Sequence, residues 1–283
     1  MILDHLGHHV TLSVRRVGSP GAFLSERAEE DRDVVLLPGR EVPENAAEGD
    51  EIEVFIALDS EDRPIATREE PKLTLGEVTF LEVKAKTSFG AFVDWGLPKE
   101  LLVPLGEQTR DVFIGERHPV GLILDDTGRL AGTMRVTEML DELPDAQVGQ
   151  WVQGEAWRND LSLGLFVIVE RRHVGLVPVS EPHRLERGAA AKFRITHVHR
   201  DGKIELSLRG PAHLELEGDA QRILAVLSGP TPPRVSDKSS PDELRELFDL
   251  SKKAFKRAAG RLLKEGAIAA DGEGNFVVRP KRA

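Results

Sequence analysis

At 283 residues the chain is too long for one small barrel and long enough for several modules. It has no cysteine, which excludes disulfides, cysteine-based zinc sites and thiol catalysis, and its net charge of −10 argues against a simple basic nucleic-acid clamp. No apolar run approaches membrane-spanning length and the N-terminus lacks a basic-then-apolar leader pattern, so the expectation is a soluble, cytoplasmic protein with no membrane contact and no cofactor.

One ordered pattern recurs three times, with Gly21, Gly90 and Gly164 standing about 70 residues apart. The first copy runs Gly21-Ala22-Phe23-Leu24, Leu36-Leu37-Pro38, Glu48-Gly49-Asp50-Glu51 and Arg63-Pro64-Ile65-Ala66. The second runs Gly90-Ala91-Phe92-Val93, Leu102-Val103-Pro104, Gly115-Glu116-Arg117 and Gly128-Arg129-Leu130-Ala131. The third runs Gly164-Leu165-Phe166-Val167, Leu176-Val177-Pro178, Gly188 and Gly202-Lys203-Ile204-Glu205-Leu206-Ser207. Each copy alternates β-branched or apolar residues between Gly, Pro and Asp punctuation, which predicts about five short strands per copy. Strands this short bury enough surface only if the sheet closes, so each copy is expected to form a small OB-like barrel.

After Arg209-Gly210 the apolar period changes from two to 3.6. Asp219 is expected to cap a helix carrying Ile223, Leu224 and Leu227, which ends at Gly229-Pro230. Ser240-Pro241-Asp242-Glu243 predicts a second helix opened by a capping box. Ser251 caps a third, with Leu250 stapled to Phe255, and Gly266 ends it. A hairpin around Asp271-Gly272-Glu273-Gly274 completes a winged helix-turn-helix pattern. The fold class is therefore mainly β, with three tandem barrels over residues 1–68, 72–137 and 146–210 and an α+β winged helix over 213–283.

Charge is graded along the chain. Residues 1–67 hold 6 Arg against 15 Asp and Glu, whereas 148–210 hold 10 Lys and Arg against 7 acids. Residues 234–283 hold 12 against 8. Phosphate binding is expected in the second half, and the acidic first barrel reads as a packing module or a protein-contact surface.

The string Phe89-Gly90-Ala91-Phe92-Val93-Asp94, the pair Gly164-Leu165-Phe166-Val167 and Gly175-Leu176-Val177, and Asp201-Gly202-Lys203-Ile204-Glu205-Leu206-Ser207-Leu208 resemble the S1 RNA-binding domain. The longer run Phe89 to Pro104 followed by Glu107-Gln108, with Val235 to Leu244 and Ser251 to Glu265, resembles the conserved virulence factor B family over nearly the whole chain. That resemblance implies three S1-like barrels before a winged helix, and a bacterial RNA-binding regulator. It also implies a stacking Phe pair beside the second strand, which Phe89 and Phe92 match. The third copy keeps only Phe166, with Leu163 at the other position, and the first only Phe23, with Pro20. Where many S1 domains carry a stacking His, Pro38, Pro104 and Pro178 stand here. The Asp201–Lys203 turn matches one that contacts RNA in many S1 domains.

Single strands are held by aromatic platforms and cations. Alternation leaves Phe92 open to a core role, and surface solvation is the alternative for the cations. Lys84 and Lys86 alternate onto one face before Phe89. Trp157, Arg158, Arg171, Arg172 and His173 are the candidates in the third copy, with Lys203 in its turn. On the third helix, Lys252, Lys253, Lys256, Arg257 and Arg261, with Lys264, line a face beside Phe255, Ala258, Leu262 and Leu263. This helix suits phosphates or a DNA major groove. His5, His8 and His9 have metal-like spacing, but no helix or acidic partner supports a site, and His197 and His199 lack a third ligand. No nucleophile elbow, phosphate loop or triad pattern is present, so an enzyme is not expected. Single-stranded RNA is the expected ligand, with duplex DNA at the winged helix and a protein-interaction scaffold as the alternatives.

Overall fold

A computed structural model describes residues 1–27, 33–181, 183–210 and 212–279; Pro211 and the last four residues of the expected winged helix lie outside them. The chain divides into two compact units, residues 1–208 and 209–283.

Among its described residues the first unit holds fifteen strands in three groups of five. Barrel 1 comprises β1 (His9–Gly18), β2 (Gly21–Ser25), β3 (Val35–Pro38), β4 (Glu51–Leu58) and β5 (Pro64–Thr67). It closes in the order β1-β2-β3-β5-β4, through a parallel contact of Leu36 with Ile65. Barrel 3 comprises β11 (Trp151–Asp160), β12 (Gly164–Val169), β13 (His173–Pro178), β14 (Ala190–Val198) and β15 (Ile204–Ser207), and closes in the same order. The middle copy has β6 (Val78–Lys86), β7 (Gly90–Asp94), β8 (Leu101–Pro104), β9 (Arg117–Leu124) and β10 (Leu130–Thr133). Its order is β10-β9-β6-β7-β8, and no ladder joins β8 to β10. The sequence predicts closure in every copy; here the ring of hydrogen bonds stops one pair short.

Two devices repeat. At the start of each second strand a glycine faces the proline that ends the third, as Gly21–Pro38, Gly90–Pro104 and Gly164–Pro178. A methyl group on Gly164 would run into the Val177 carbonyl, and its φ of +126° is itself costly for other residues. A glutamate three residues past each proline then accepts a hydroxyl hydrogen bond from the end of the fifth strand. Thr67 Oγ1 donates to Glu41 at 2.6 Å, Thr133 Oγ1 to Glu107 at 2.5 Å and Ser207 Oγ to Glu181 at 2.7 Å. This clasp holds β8 and β10 of the middle copy at one end where the ladder does not.

The barrels share cores, which explains the nearly unbroken apolar runs in β4 and β6. Ile52, Val54 and Ile56 of β4 fill barrel 1, while Phe55 and Ala57 on its other face join the core of barrel 2. Phe55 meets Trp95 edge to face at 6.0 Å. Between barrels 2 and 3, Val78, Phe80, Val136, Trp157 and Ile168 form a separate cluster. Beside it Thr79 Oγ1 donates to Glu155 at 2.7 Å and the Val78 N–H donates to the Arg171 carbonyl at 2.7 Å.

The second unit has α1 (Ala212–Leu227), α2 (Pro241–Phe248), α3 (Lys252–Glu265) and a hairpin of β16 (Ile268–Ala270) and β17 (Phe276–Val278). Helix α1 begins seven residues before Asp219, which therefore lies inside it and is no cap; its carboxylate is 3.9 Å from Arg257. The capping box forms as expected, with Ser240 Oγ accepting from the Glu243 N–H and Glu243 accepting from the Ser240 N–H. Ser251 Oγ caps α3 through the Ala254 N–H, and Gly266 ends it at φ +71°. Phe248, Phe255 and Phe276 stack through its core. Ala259 is buried there, and Leu263, expected on the apolar face, is 41% exposed. Among the described residues no helix is long and apolar enough to cross a membrane.

Candidate nucleic-acid interface

Each barrel carries a β-bulge in its first strand, where the register against the second strand shifts after Val14, Val83 and Ala156. A bulge inserts one unpaired residue and re-aims the side chains beyond it. The next residue then stands opposite the phenylalanine of the second strand, giving Arg16–Phe23, Ala85–Phe92 and Arg158–Phe166. On its other side each phenylalanine faces a leucine of the third strand, Leu36, Leu102 or Leu176. Across these paired positions the three faces share one plan and differ in one residue, the first-strand partner of the phenylalanine.

That difference decides access. The Arg16 guanidinium lies over the Phe23 ring at 4.2 Å, and that of Arg158 over Phe166 at 4.5 Å. Such cation–π contacts occupy one ring face. In barrel 2 the Ala85 methyl is too short to cover a ring, and among the described residues no cation lies over Phe92. Phe89, in the preceding turn, is 56% exposed and meets Phe92 edge to face at 6.0 Å and 89°. Phe92 is half-buried and so belongs to the outer face, not to the core. The pair borders a groove of about 390 Å³ over the unbonded β8–β10 seam, with Leu102, Pro104, Lys99 and Arg129 in its wall. Asp62 of barrel 1 binds both cations there, Lys99 at 2.9 Å and Arg129 at 3.3 Å.

The other expected residues divide. Lys84 is the bulged residue, so it does not alternate with Lys86 as a regular strand would require; it pairs with Glu82 at 3.0 Å, which raises its pKa. Lys86 stands 5.3 Å from the ring of Phe113, a 62% exposed residue that sequence reasoning missed. Lys203 is exposed but tied to Asp201 at 2.7 Å. Trp157 is a correction: it is 8% exposed, turned by the bulge into the seam with barrel 2, and offers no open ring face to a base. Arg171 and Arg172 are both exposed; they reach Glu77 at 3.6 and 3.7 Å, and Arg172 donates to Thr74 and the Leu75 carbonyl, so they also brace barrels 2 and 3. The half-buried His173 sits in the same joint, bridged through its backbone to Asp141.

On α3, Lys253, Lys256 and Lys264 are exposed and Lys252 is half-buried, and among the described residues none of the four ion-pairs with a carboxylate. Arg257 faces Asp219, and Arg261 binds Glu265 at 2.7 Å, so both are already partly neutralised. Among the described residues no cluster of three or more metal-ligating side chains forms. His197 and His199 do meet, at 4.5 Å, with Glu205 beside His199.

Comparison with known proteins agrees with this architecture. An S1 domain family model matches residues 6–69 and a CvfB-like winged helix domain model matches residues 221–275. The S1 match falls on barrel 1, the acidic copy, which keeps only Phe23 of the phenylalanine pair. The Bacillus subtilis protein YitL is 32% identical over 275 residues, covering 93% of this chain and 90% of its own. Conserved virulence factor B of Staphylococcus epidermidis is 31% identical over 233 residues, covering 78% of this chain and 77% of its own. The chain belongs to the conserved virulence factor B family. A crystal structure of a Streptococcus pneumoniae multidomain protein with nucleic acid binding domains is 26% identical, covers 98% of this chain and 99% of its own, and has a TM-score of 0.43. The S1 and winged helix domains of this family member point to nucleic-acid binding.

Proposed function

We propose that the protein binds single-stranded RNA across its tandem barrels and acts as a post-transcriptional regulator. The observation that carries this reading is the Phe89–Phe92 pair, two rings at right angles on an outer barrel face, with no cation over either among the described residues. Base–aromatic stacking contributes about 1–3 kcal/mol per base and tolerates any base, so two adjacent rings suit an unpaired strand. A duplex keeps its bases stacked on one another and cannot use them. The α3 lysines supply phosphate neutralisation, and the S1 resemblance favours RNA over DNA.

A second reading rests on α3 alone. An exposed helix carrying Lys253, Lys256 and Lys264 could lie in a DNA major groove, whereas the A-form groove of RNA is too narrow for it. Fluorescence titration of the full chain with U-rich and A-rich single-stranded RNA, single-stranded DNA and duplexes of both separates the two. The proposal expects single-stranded RNA to bind tightest. Preference for duplex DNA overturns it in favour of the second reading.

A further inference from the structure

A cleft of about 610 Å³ lies where barrel 2 meets barrel 3. Arg110 comes from the loop after β8, Arg135 from the segment after β10, Arg158 from β11 and Arg187 from the loop before β14, and all four line it. Trp157 forms part of its floor, and among the described residues Glu138 is the one acid on its wall. The chain as a whole is acidic, so four guanidinium groups converging against one carboxylate are an exception within it.

Like charges are gathered here without the usual neutralisation. Among the described residues, neither Arg110, Arg158 nor Arg187 makes an ion pair with a carboxylate. Arg187 donates to the Arg117 carbonyl at 3.1 Å and lies over the Phe80 ring at 5.0 Å. Desolvation first, and then repulsion from Arg110, outweigh attraction from Glu116 and lower its pKa below the ordinary arginine value. Arg135 is held by the Gly106 carbonyl at 2.7 Å, with Glu107 only at 3.9 Å and already engaged by Thr133. Contacts to carbonyls and rings fix where these cations sit, and the acids near them, Glu116 by Arg110 and Arg187, Asp160 by Arg158 and Glu107 by Arg135, offset their charge only in part. An anion entering the cleft relieves that repulsion and finds planar donors suited to two oxygens at once.

We propose that this inter-barrel cleft binds the phosphodiester backbone of a single strand passing between barrels 2 and 3. Arg158 argues for a strand over a free phosphate compound: its guanidinium covers the Phe166 ring on the outer face of barrel 3 and also lines the cleft, so that face and the phosphate site are continuous. The cleft is separate from the Phe89–Phe92 groove and would not exist in an isolated barrel. The proposal rests on the single-strand reading above and adds to it where the phosphates go.

The test uses the full chain and three probes: a 12-nucleotide single-stranded RNA, an abasic strand of equal length, and tripolyphosphate. The abasic strand has phosphates and nothing to stack. Arg110→Gln with Arg187→Gln is expected to weaken the abasic strand and the RNA about tenfold each at fixed salt. The slope of log K against log salt should fall by about 0.7 for each phosphate no longer neutralised. Arg110→Gln alone, which breaks no hydrogen bond or ion pair among the described residues, should show part of the same effect, and Arg110→Lys should recover some of it. Unchanged abasic binding in both variants overturns the cleft. So does tripolyphosphate that binds there undisturbed by the strand, which would mark a site for small phosphate compounds. Failure of the single-strand reading looks different: RNA binding then survives Phe89→Ala with Phe92→Ala, whatever the arginine variants do.

Discussion

Ala85 stands directly across the β6–β7 ladder from Phe92, at the position where the flanking barrels place Arg16 and Arg158. One side chain separates a covered ring from a bare one. Phe89→Ala with Phe92→Ala should therefore lose about 2–5 kcal/mol of single-stranded RNA affinity, while Phe23→Ala or Phe166→Ala should lose less than about 1 kcal/mol. Titration of the full chain with a fluorescent oligomer measures both. Equal losses in the three barrels would remove the distinction drawn from Ala85.

The α3 lysines should reveal themselves through salt. Lys252, Lys253 and Lys256 have no acidic partner among the described residues, whereas Arg257 faces Asp219 and Arg261 binds Glu265. Changing the three lysines to alanine should lower the salt slope of single-strand binding by about 2, at about 0.7 per neutralised phosphate. Arg261→Ala should move it little. Binding isotherms at several salt concentrations decide this.

The fold was largely legible because turn glycines, strand-ending prolines and helix caps are local signals. The Ser240–Glu243 box and the Gly164–Pro178 pairing need no tertiary knowledge. The site was less legible because a bulge changes which residues face each other, and nothing local in Val14-Arg15-Arg16 or Ala156-Trp157-Arg158 announces one. A strand of regular alternation puts Lys84 and Lys86 side by side; the bulge parts them and turns Trp157 inward. Setting the first two copies in register on their second-strand phenylalanines brings Arg16 and Ala85 together, but the third hairpin is one residue longer and that register puts Asn159 where Arg158 belongs, so only the ladder reveals the triple. Arg110, Arg135 and Arg187 lie far apart in sequence and meet only because two barrels share a seam.

Trp157 tests that seam. It packs with Val78, Phe80, Val136 and Ile168, so Trp157→Ala should leave a cavity and cost about 3–5 kcal/mol of stability. Urea denaturation of the variant should show the loss, together with a changed m-value if barrel 3 comes free of barrel 2. A ring that served RNA would instead leave stability unchanged and weaken binding.

Asp125 gives the first unit a sensitivity to acid. Burial alone would raise its carboxyl, but hydrogen bonds from Thr127 and from the Arg129 N–H and guanidinium outweigh burial and hold the pKa at about 2, against an ordinary 3.8. The native state therefore binds the proton more weakly than the unfolded chain. This contribution is fully present above the ordinary value and is lost as the pH falls from about 4 towards 2. Asp125→Asn should destabilise the protein at neutral pH, because its amide cannot form the charge-assisted bonds. Because protonation of the wild type removes the same bonds, the gap between the two proteins should narrow across that window. Unfolding midpoints measured from pH 7 down to pH 2 check the sign. A gap that stays constant, or widens in acid, would mean that the Asp125 carboxylate contributes nothing through its charge.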